Sequence, residues 1–227
     1  MSARTDLSLS EEVLLLALRD REGTVKAGSF YTYALGAAIL ADLLLSGRIR
    51  TAERKNLVTL VDSRPLGDPL LDEALARIAS AGRRASLRAW LSRFARIRRL
   101  KDRLAQQLCR RGILRADEDK VLLLFTRKIY PEIDPGPERE LIDRLRRAVR
   151  SADDGVDART AVLIALARHA EILRPVFSKE EWKQRKPRIE KIARGEAIGK
   201  ATAEAIQAAQ AAVIVAATLP AVLAGGR

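Results

Sequence analysis

The sequence predicts a mainly α-helical protein, a single compact domain with a core helix bundle, short β-hairpins and a weak internal duplication. Three observations carry this. Aromatic residues are only 4% of the chain, so the core is built from Leu, Ala, Val and Ile, a mix that favours helix over sandwich. Apolar residues recur at three-and-four spacing along the longest stretches. Helix starts and glycine stops alternate between them. With 227 residues, 48% of them hydrophobic, the chain is long enough to bury a substantial core. Residues 1–6 read as a tail and residues 7–227 as the domain.

Taken in order, Ser8 and Glu11 form a capping box opening a helix from Glu11 to about Leu18, ended by Asp20–Gly23. An Ala/Leu-rich helix runs from Tyr31 to Leu45 and stops at Ser46–Gly47. Arg48–Ala52 and Asn56–Asp62 suit a short hairpin. The Pro/Gly turn Arg64–Asp68 precedes a helix over Leu70–Ile78. Leu87, Trp90, Leu91, Phe94, Ile97, Leu100, Leu104 and Leu108 mark amphipathic helix over Ser86–Cys109, in one piece or two joined near Arg96, with Gly112 as its stop. Ile113–Arg115 and Val121–Thr126 look like a second hairpin-like pair, before a loop marked by Pro131, Pro135 and Pro137. Helices then follow over Glu138–Arg150, Ala158–Leu173 and Lys179–Arg194, with Asp153–Asp157 capping a junction. A helix over Ala201–Leu219, apolar nearly all round, reads as buried.

An offset of 65 relates Leu43, Gly47, Ile49, Arg50, Lys55 and Leu57 to Leu108, Gly112, Leu114, Arg115, Lys120 and Leu122. Each set reads helix, glycine stop, hairpin, helix.

Charge is concentrated. The chain has 42 Lys+Arg against 29 Asp+Glu, a formal +13. Between Arg83 and Arg111 stand ten arginines and Lys101 against one acid, Asp102. Such a run predicts an anionic partner held against one face. Arg98 and Lys101 are three apart and share a helical face, suited to phosphate. Over Asp117–Lys128, Val121, Leu122, Leu123, Leu124 and Phe125 follow in succession; they are either core strand or an exposed apolar tip that enters a partner or a bilayer. Arginine beside such a tip is what a peripheral membrane protein needs.

Nothing assembles a catalytic site, a metal site or a cofactor site. No nucleotide-type glycine loop or nucleophile elbow is present. His169 reads as a packed or capping histidine, and Cys109 as a small core filler without a disulfide partner. The acid pair Glu11–Glu12 complements a helix dipole. No secretory pattern opens the chain, since Asp6, Glu11 and Glu12 interrupt it. The apolar stretch Ala211–Gly226, with Thr218 and Pro220, falls short of a membrane span. A cytoplasmic, peripherally membrane-associated protein is the expectation.

LSLSEEVLLLALRDREG (Leu7–Gly23), LLLSGRI (Leu43–Ile49), DPLLDEAL (Asp68–Leu75), LKDRLAQQLCRRGIL (Leu100–Leu114) and LLLF (Leu122–Phe125) resemble, in this order, blocks of the Golgi phosphoprotein 3 family. The resemblance implies a helical domain that binds phosphatidylinositol 4-phosphate in a basic pocket, inserts an apolar hairpin into the membrane and acts as an adaptor without enzymatic activity. Two pocket arginines of that family carry over to Arg98 and Lys101, the second a non-equivalent change. The family's pocket tryptophan falls at about Ala27 or Gly28, and its other arginine near Gly36; Lys26, Tyr31 and Tyr33 are the nearby substitutes. The long basic N-terminal tail of eukaryotic members has no counterpart, and the Arg/Ala-rich composition suits a bacterial relative.

The partner expected is an anionic phospholipid membrane surface, with Val121, Leu122, Leu123, Leu124 and Phe125 inserting. Two other readings stay open. Helix, glycine stop and hairpin also describe a winged-helix-like nucleic-acid binder, but Leu122–Phe125 sits where a polar wing belongs, so no nucleic acid is expected. The hairpin over 117–128 also suits a homo-oligomer contact.

Overall fold

The computed structural model describes residues 7–18, 22–25, 31–52, 57–121, 125–151 and 155–196. Eight helices and two antiparallel hairpins follow one another: α1 (Leu9–Ala17), α2 (Tyr31–Leu45), β1 (Ile49–Thr51), β2 (Val58–Leu60), α3 (Pro69–Ala79), α4 (Leu87–Ala95), α5 (Leu100–Arg110), β3 (Asp117–Val121), β4 (Phe125–Ile129), α6 (Gly136–Arg150), α7 (Ala158–His169) and, after a short 3-10 turn, α8 (Lys179–Ala193). The expected helix over Ala201–Leu219 lies outside the described residues.

Composition decides which helices are central. α2 and α7 carry apolar residues on most sides, and about two thirds or more of their residues are buried. α1 lies against both. The helices with one polar face, α3, α5 and α6, surround them and bury only the apolar stripe. α2 and α4 come closest, because Gly36 has no side chain: a Cβ there would stand 2.6 Å from the backbone nitrogen of Ala95.

The expected helix starts and stops are largely those found. Ser8 and Glu11 make a reciprocal capping box, with Ser8 N–H donating to Glu11 Oε2 at 2.8 Å, although the helix starts at Leu9, not Glu11. Asp68, Ser86, Asp157 and Ser178 cap α3, α4, α7 and α8. The Ser86–Cys109 stretch is two helices, broken over 96–99.

The related positions Gly47 and Gly112 do the same work. Both have positive φ, and in both cases the following N–H reaches back to the helix: Arg48 to Leu43 O and Ile113 to Leu108 O, each at 3.0 Å. The likeness ends there. β1 begins two residues after Gly47, whereas β3 begins five after Gly112. Ile113–Arg115 is not a strand paired with Val121–Thr126. It runs beside the turn beyond β4, with Arg115 N–H donating to Pro131 O at 2.9 Å and Ile133 N–H to Ile113 O at 2.9 Å.

α7 also stops earlier than Leu173. Glu171 takes a left-handed conformation, φ 61°, and Ile172 N–H caps Ala167 O at 3.0 Å. The same stop that glycine makes elsewhere is made here without one. His169 is exposed, its Nδ1 2.7 Å from Ala165 O, so it caps rather than packs. Cys109 is half-buried beside the core, and burial pushes its thiol pKa up.

Glu11 and Glu12 do not decorate a surface helix end; both are buried. Arg144 meets Glu12 Oε1 at 2.7 Å, Arg159 meets Glu12 Oε2 at 3.5 Å and Asp42 Oδ1 at 2.9 Å, and Asp42 Oδ2 accepts Leu9 N–H at 2.8 Å. Arg159 also donates to Leu7 O. Burial raises the pKa of all three acids, that of Asp42 to about 6, against the lowering pull of Arg159. Arg159→Met leaves two buried carboxylates short of a cation and is expected to cost about 3–5 kcal/mol near neutral pH. Because the folded pKa of Asp42 lies above its ordinary 3.8, the native state holds the extra proton on acidification. The Asp42 contribution to stability therefore falls as pH rises through about 6 and is regained below it. The deficit of the variant should shrink between about pH 7 and pH 5. Urea unfolding of both proteins at the two pH values checks this; an equal deficit at both would contradict it.

Candidate functional site

α4 ends at Ala95, and the chain turns through Arg96–Arg99 before α5 begins. Ile97 is buried and anchors the turn, with its N–H on Phe94 O at 3.0 Å and its carbonyl accepting from Leu100 at 3.2 Å. Arg96, Arg98 and Arg99 are exposed around it. Arg99 adopts φ 56°, ψ 34°, and no side chain caps the amino end of α5. A non-glycine residue in that region costs about 1–2 kcal/mol. The positive helix end, Arg98, Arg99 and Lys101 thus converge on one turn. Arg98 makes no ion pair among the described residues.

Under this turn lies Tyr130, which sequence reasoning did not single out. Its ring is fully buried, 5.6 Å from Lys101 Nζ. Its hydroxyl donates to Asp102 Oδ1 at 3.1 Å, and Asp102 Oδ2 meets Arg99 Nε at 3.5 Å. Burial and the Asp102 charge push the Tyr130 phenol up to about 12, so it stays a donor. The Tyr31 phenol is raised as well, by burial and then by the same carboxylate. Tyr130 and Arg99 therefore meet at Asp102, the lone acid of the arginine run, with Lys101 over the Tyr130 ring and Arg98 in the same turn. Tyr33 is half-buried one half-turn further along α2. Lys26 lies outside the described residues.

Tyr130 is held from a third direction. Its N–H donates to Gly23 O at 3.0 Å. Gly23 has φ +58°, and a Cβ there would stand 2.3 Å from Pro131 N, so only glycine fits this approach.

Tyr130 directly follows β4. The ladder runs from Asp117↔Ile129 to Val121↔Phe125, so residues 122–124 close the hairpin and lie outside the described residues. Its stem is polar on both strands: Asp117, Glu118, Arg127 and Lys128 are exposed, and Arg127 meets Asp119 at 2.5 Å. Among the described residues, β3 and β4 pair with each other and with no other strand. The hairpin extends to Ile129 rather than ending at Lys128.

Residues 9–209 match the family model described as Golgi phosphoprotein 3. The chain belongs to the Golgi phosphoprotein 3 family. It is 27% identical over 213 residues to vacuolar protein sorting-associated protein 74 of Eremothecium gossypii, covering 79% of this chain and 64% of that one. The chain thus spans just under two thirds of the curated relative it matches.

Two expectations drawn from the sequence change in the structure. An arginine has no room at Gly36, where α2 touches the backbone of α4. The arginine run does not form one face either. Arg103 pairs with Glu73 of α3, Arg111 reaches Glu11 of α1 at 3.5 Å, and Arg93 lies 4.5 Å over the Trp90 ring. Of the rest, Arg110 is exposed at the end of α5, and the others fall into two groups at opposite ends of α4, Arg83, Arg84 and Arg88 at one and Arg96, Arg98 and Arg99 at the other. No group of His, Cys, Asp and Glu among the described residues could hold a metal ion. No helix among them is long and apolar enough to cross a membrane.

Proposed function

We propose that this member of the Golgi phosphoprotein 3 family is a non-enzymatic adaptor bound peripherally to the cytoplasmic face of an anionic membrane. Arg98 and Lys101 take the phosphate of a phosphoinositide-like headgroup, phosphatidylinositol 4-phosphate by resemblance. Lys26 and Tyr31 border it, and Val121–Phe125 enters the bilayer. One observation carries the reading: Tyr130 joins the root of the apolar hairpin to the cationic turn, lying beneath Lys101 and donating to Asp102.

The two parts have compatible dimensions. Five-residue strands at about 3.4 Å per residue put the hairpin tip some 15 Å beyond Tyr130. The polar layer of one leaflet is roughly 5–8 Å deep. Cations at the hairpin root therefore sit at headgroup level while the tip reaches hydrocarbon. Neither part alone holds a membrane firmly, and together they give reversible attachment.

Each cation near an anionic surface contributes about 1 kcal/mol, so Arg98→Ala/Lys101→Ala should weaken binding about 30-fold. Sedimentation with neutral, phosphatidylserine and phosphatidylinositol 4-phosphate vesicles measures it. Arg147→Ala/Lys186→Ala removes two exposed charges on α6 and α8 and should change binding by less than about threefold. Equal losses in the two variants would mean diffuse attraction and no pocket.

A further inference from the structure

The arginines at the far end of α4 form a second surface, built on the first hairpin. β1 and β2 pair Arg50 with Thr59. On the other side of β2, Leu57 bridges Ser86, and Val58 N–H donates to Ala85 O at 2.9 Å. Arg84 directly precedes Ala85 on that side of β2, while Arg50 pairs with Thr59 on the other, so the two arginines stand on either side of β2. Both are exposed, and neither makes an ion pair among the described residues. Arg83 adjoins them, and Arg88 follows in the first turn of α4, which holds no acid.

The face is not purely cationic. Val61 lies two residues beyond Thr59 in the same strand direction, with its N–H on Arg48 O at 2.9 Å. Alternation brings it to the same face. It is 57% exposed, the most exposed large apolar side chain among the described residues. Asp62, the nearest acid in sequence, is already held by Arg48 and Arg64.

This surface is separate from the cationic turn. α4 leaves it at Leu87 and delivers Ala95 to the turn, about 13 Å away along the helix axis. That exceeds a Debye length of roughly 8 Å in physiological salt. The two groups of arginines therefore act on bound charges independently of one another.

The geometry points to a docking surface for an acidic segment of a partner polypeptide, with carboxylates on Arg50, Arg84 and Arg88 and an apolar residue on Val61. Guanidinium groups spaced across strands around one exposed aliphatic side chain match a chain of alternating acidic and apolar residues. A bilayer needs a larger apolar insertion than one valine. Nucleic acid gains nothing from the valine.

The test uses the full chain and a fluorescent Glu/Leu-rich peptide, with its Lys/Leu counterpart as control. Arg50→Gln/Arg84→Gln/Arg88→Gln should weaken binding of the acidic peptide about tenfold and leave vesicle sedimentation within about twofold. Val61→Ser, which changes no charge, should weaken the peptide about threefold. Arg84→Glu alone gives a second route should the triple variant fold poorly. Arg98→Ala/Lys101→Ala should behave in reverse, losing vesicles and keeping peptide. The inference is overturned if the wild type does not bind the peptide, or if the triple variant loses vesicles as severely as the turn variant. It is equally overturned if duplex DNA binds more tightly than the peptide, or if Val61→Ser has no effect. Failure of the membrane reading shows separately, as vesicle binding that none of the variants changes.

Discussion

Leu123→Asp is expected to lower affinity for anionic vesicles by at least about 100-fold, the largest effect on binding of any single change considered. The ladder closes at Val121↔Phe125, and Leu123 is the middle residue of the three that complete the hairpin. A carboxylate placed in hydrocarbon costs about 2.5–3.5 kcal/mol, and the leucine's favourable transfer is lost as well. Folding should be untouched, because the stem is solvated and contacts no other strand. Sedimentation with phosphatidylserine vesicles and thermal unfolding read the two properties independently. Sedimentation velocity adds the other outcome: a lost oligomer with unchanged vesicle binding would assign the tip to contact between copies and refute insertion.

Gly36→Arg, far from rebuilding a second headgroup arginine, should destabilise the protein by about 3 kcal/mol or more. The new Cβ alone would stand 2.6 Å from Ala95 N and 3.1 Å from Leu91 O, both backbone atoms of α4. Backbone does not yield as a side chain tip does, so α4 must move off α2, uncovering Leu91 and Phe94. That is a large share of a typical total of about 5–15 kcal/mol. Gly36→Ala should show the same sign at smaller size, partly offset by about 1 kcal/mol of helix propensity. Urea unfolding of the two variants checks this, and a Gly36→Arg protein as stable as the wild type would refute it.

What the sequence disclosed follows from local chemistry. The end of α2 could be read because Ser46–Gly47 is a glycine stop, and the first hairpin because two short strand-like runs, Arg48–Ala52 and Asn56–Asp62, follow it. The second hairpin was misregistered because Ile113–Arg115 has strand-like residues, yet its backbone groups are taken by Pro131 and Ile133. The end of α7 was overshot because Glu171 does what a glycine normally does. At the candidate site Arg98 and Lys101 were visible through charge, but they do not share a helical face as their spacing suggested, because Arg98 lies in the turn before α5 and Lys101 in the helix. Tyr130 and Gly23 were not, since their importance lies in one contact across more than a hundred residues. Asp102 was visible as the one acid among so many arginines, but its bond to the Tyr130 hydroxyl was not. The division of those arginines between two ends of α4 was equally hidden, because charge density along a chain says nothing about which stretches become ion pairs.

The stem of the second hairpin has a polarity across its width. Carboxylates line β3 at Asp117, Glu118 and Asp119, while β4 carries Arg127 and Lys128. A negative surface attracts one edge of such a ribbon and repels the other over the last Debye length, about 8 Å. On the proposed membrane reading the ribbon therefore approaches with its C-terminal strand tilted toward the surface, which sets the molecule's azimuth before residues 122–124 meet lipid.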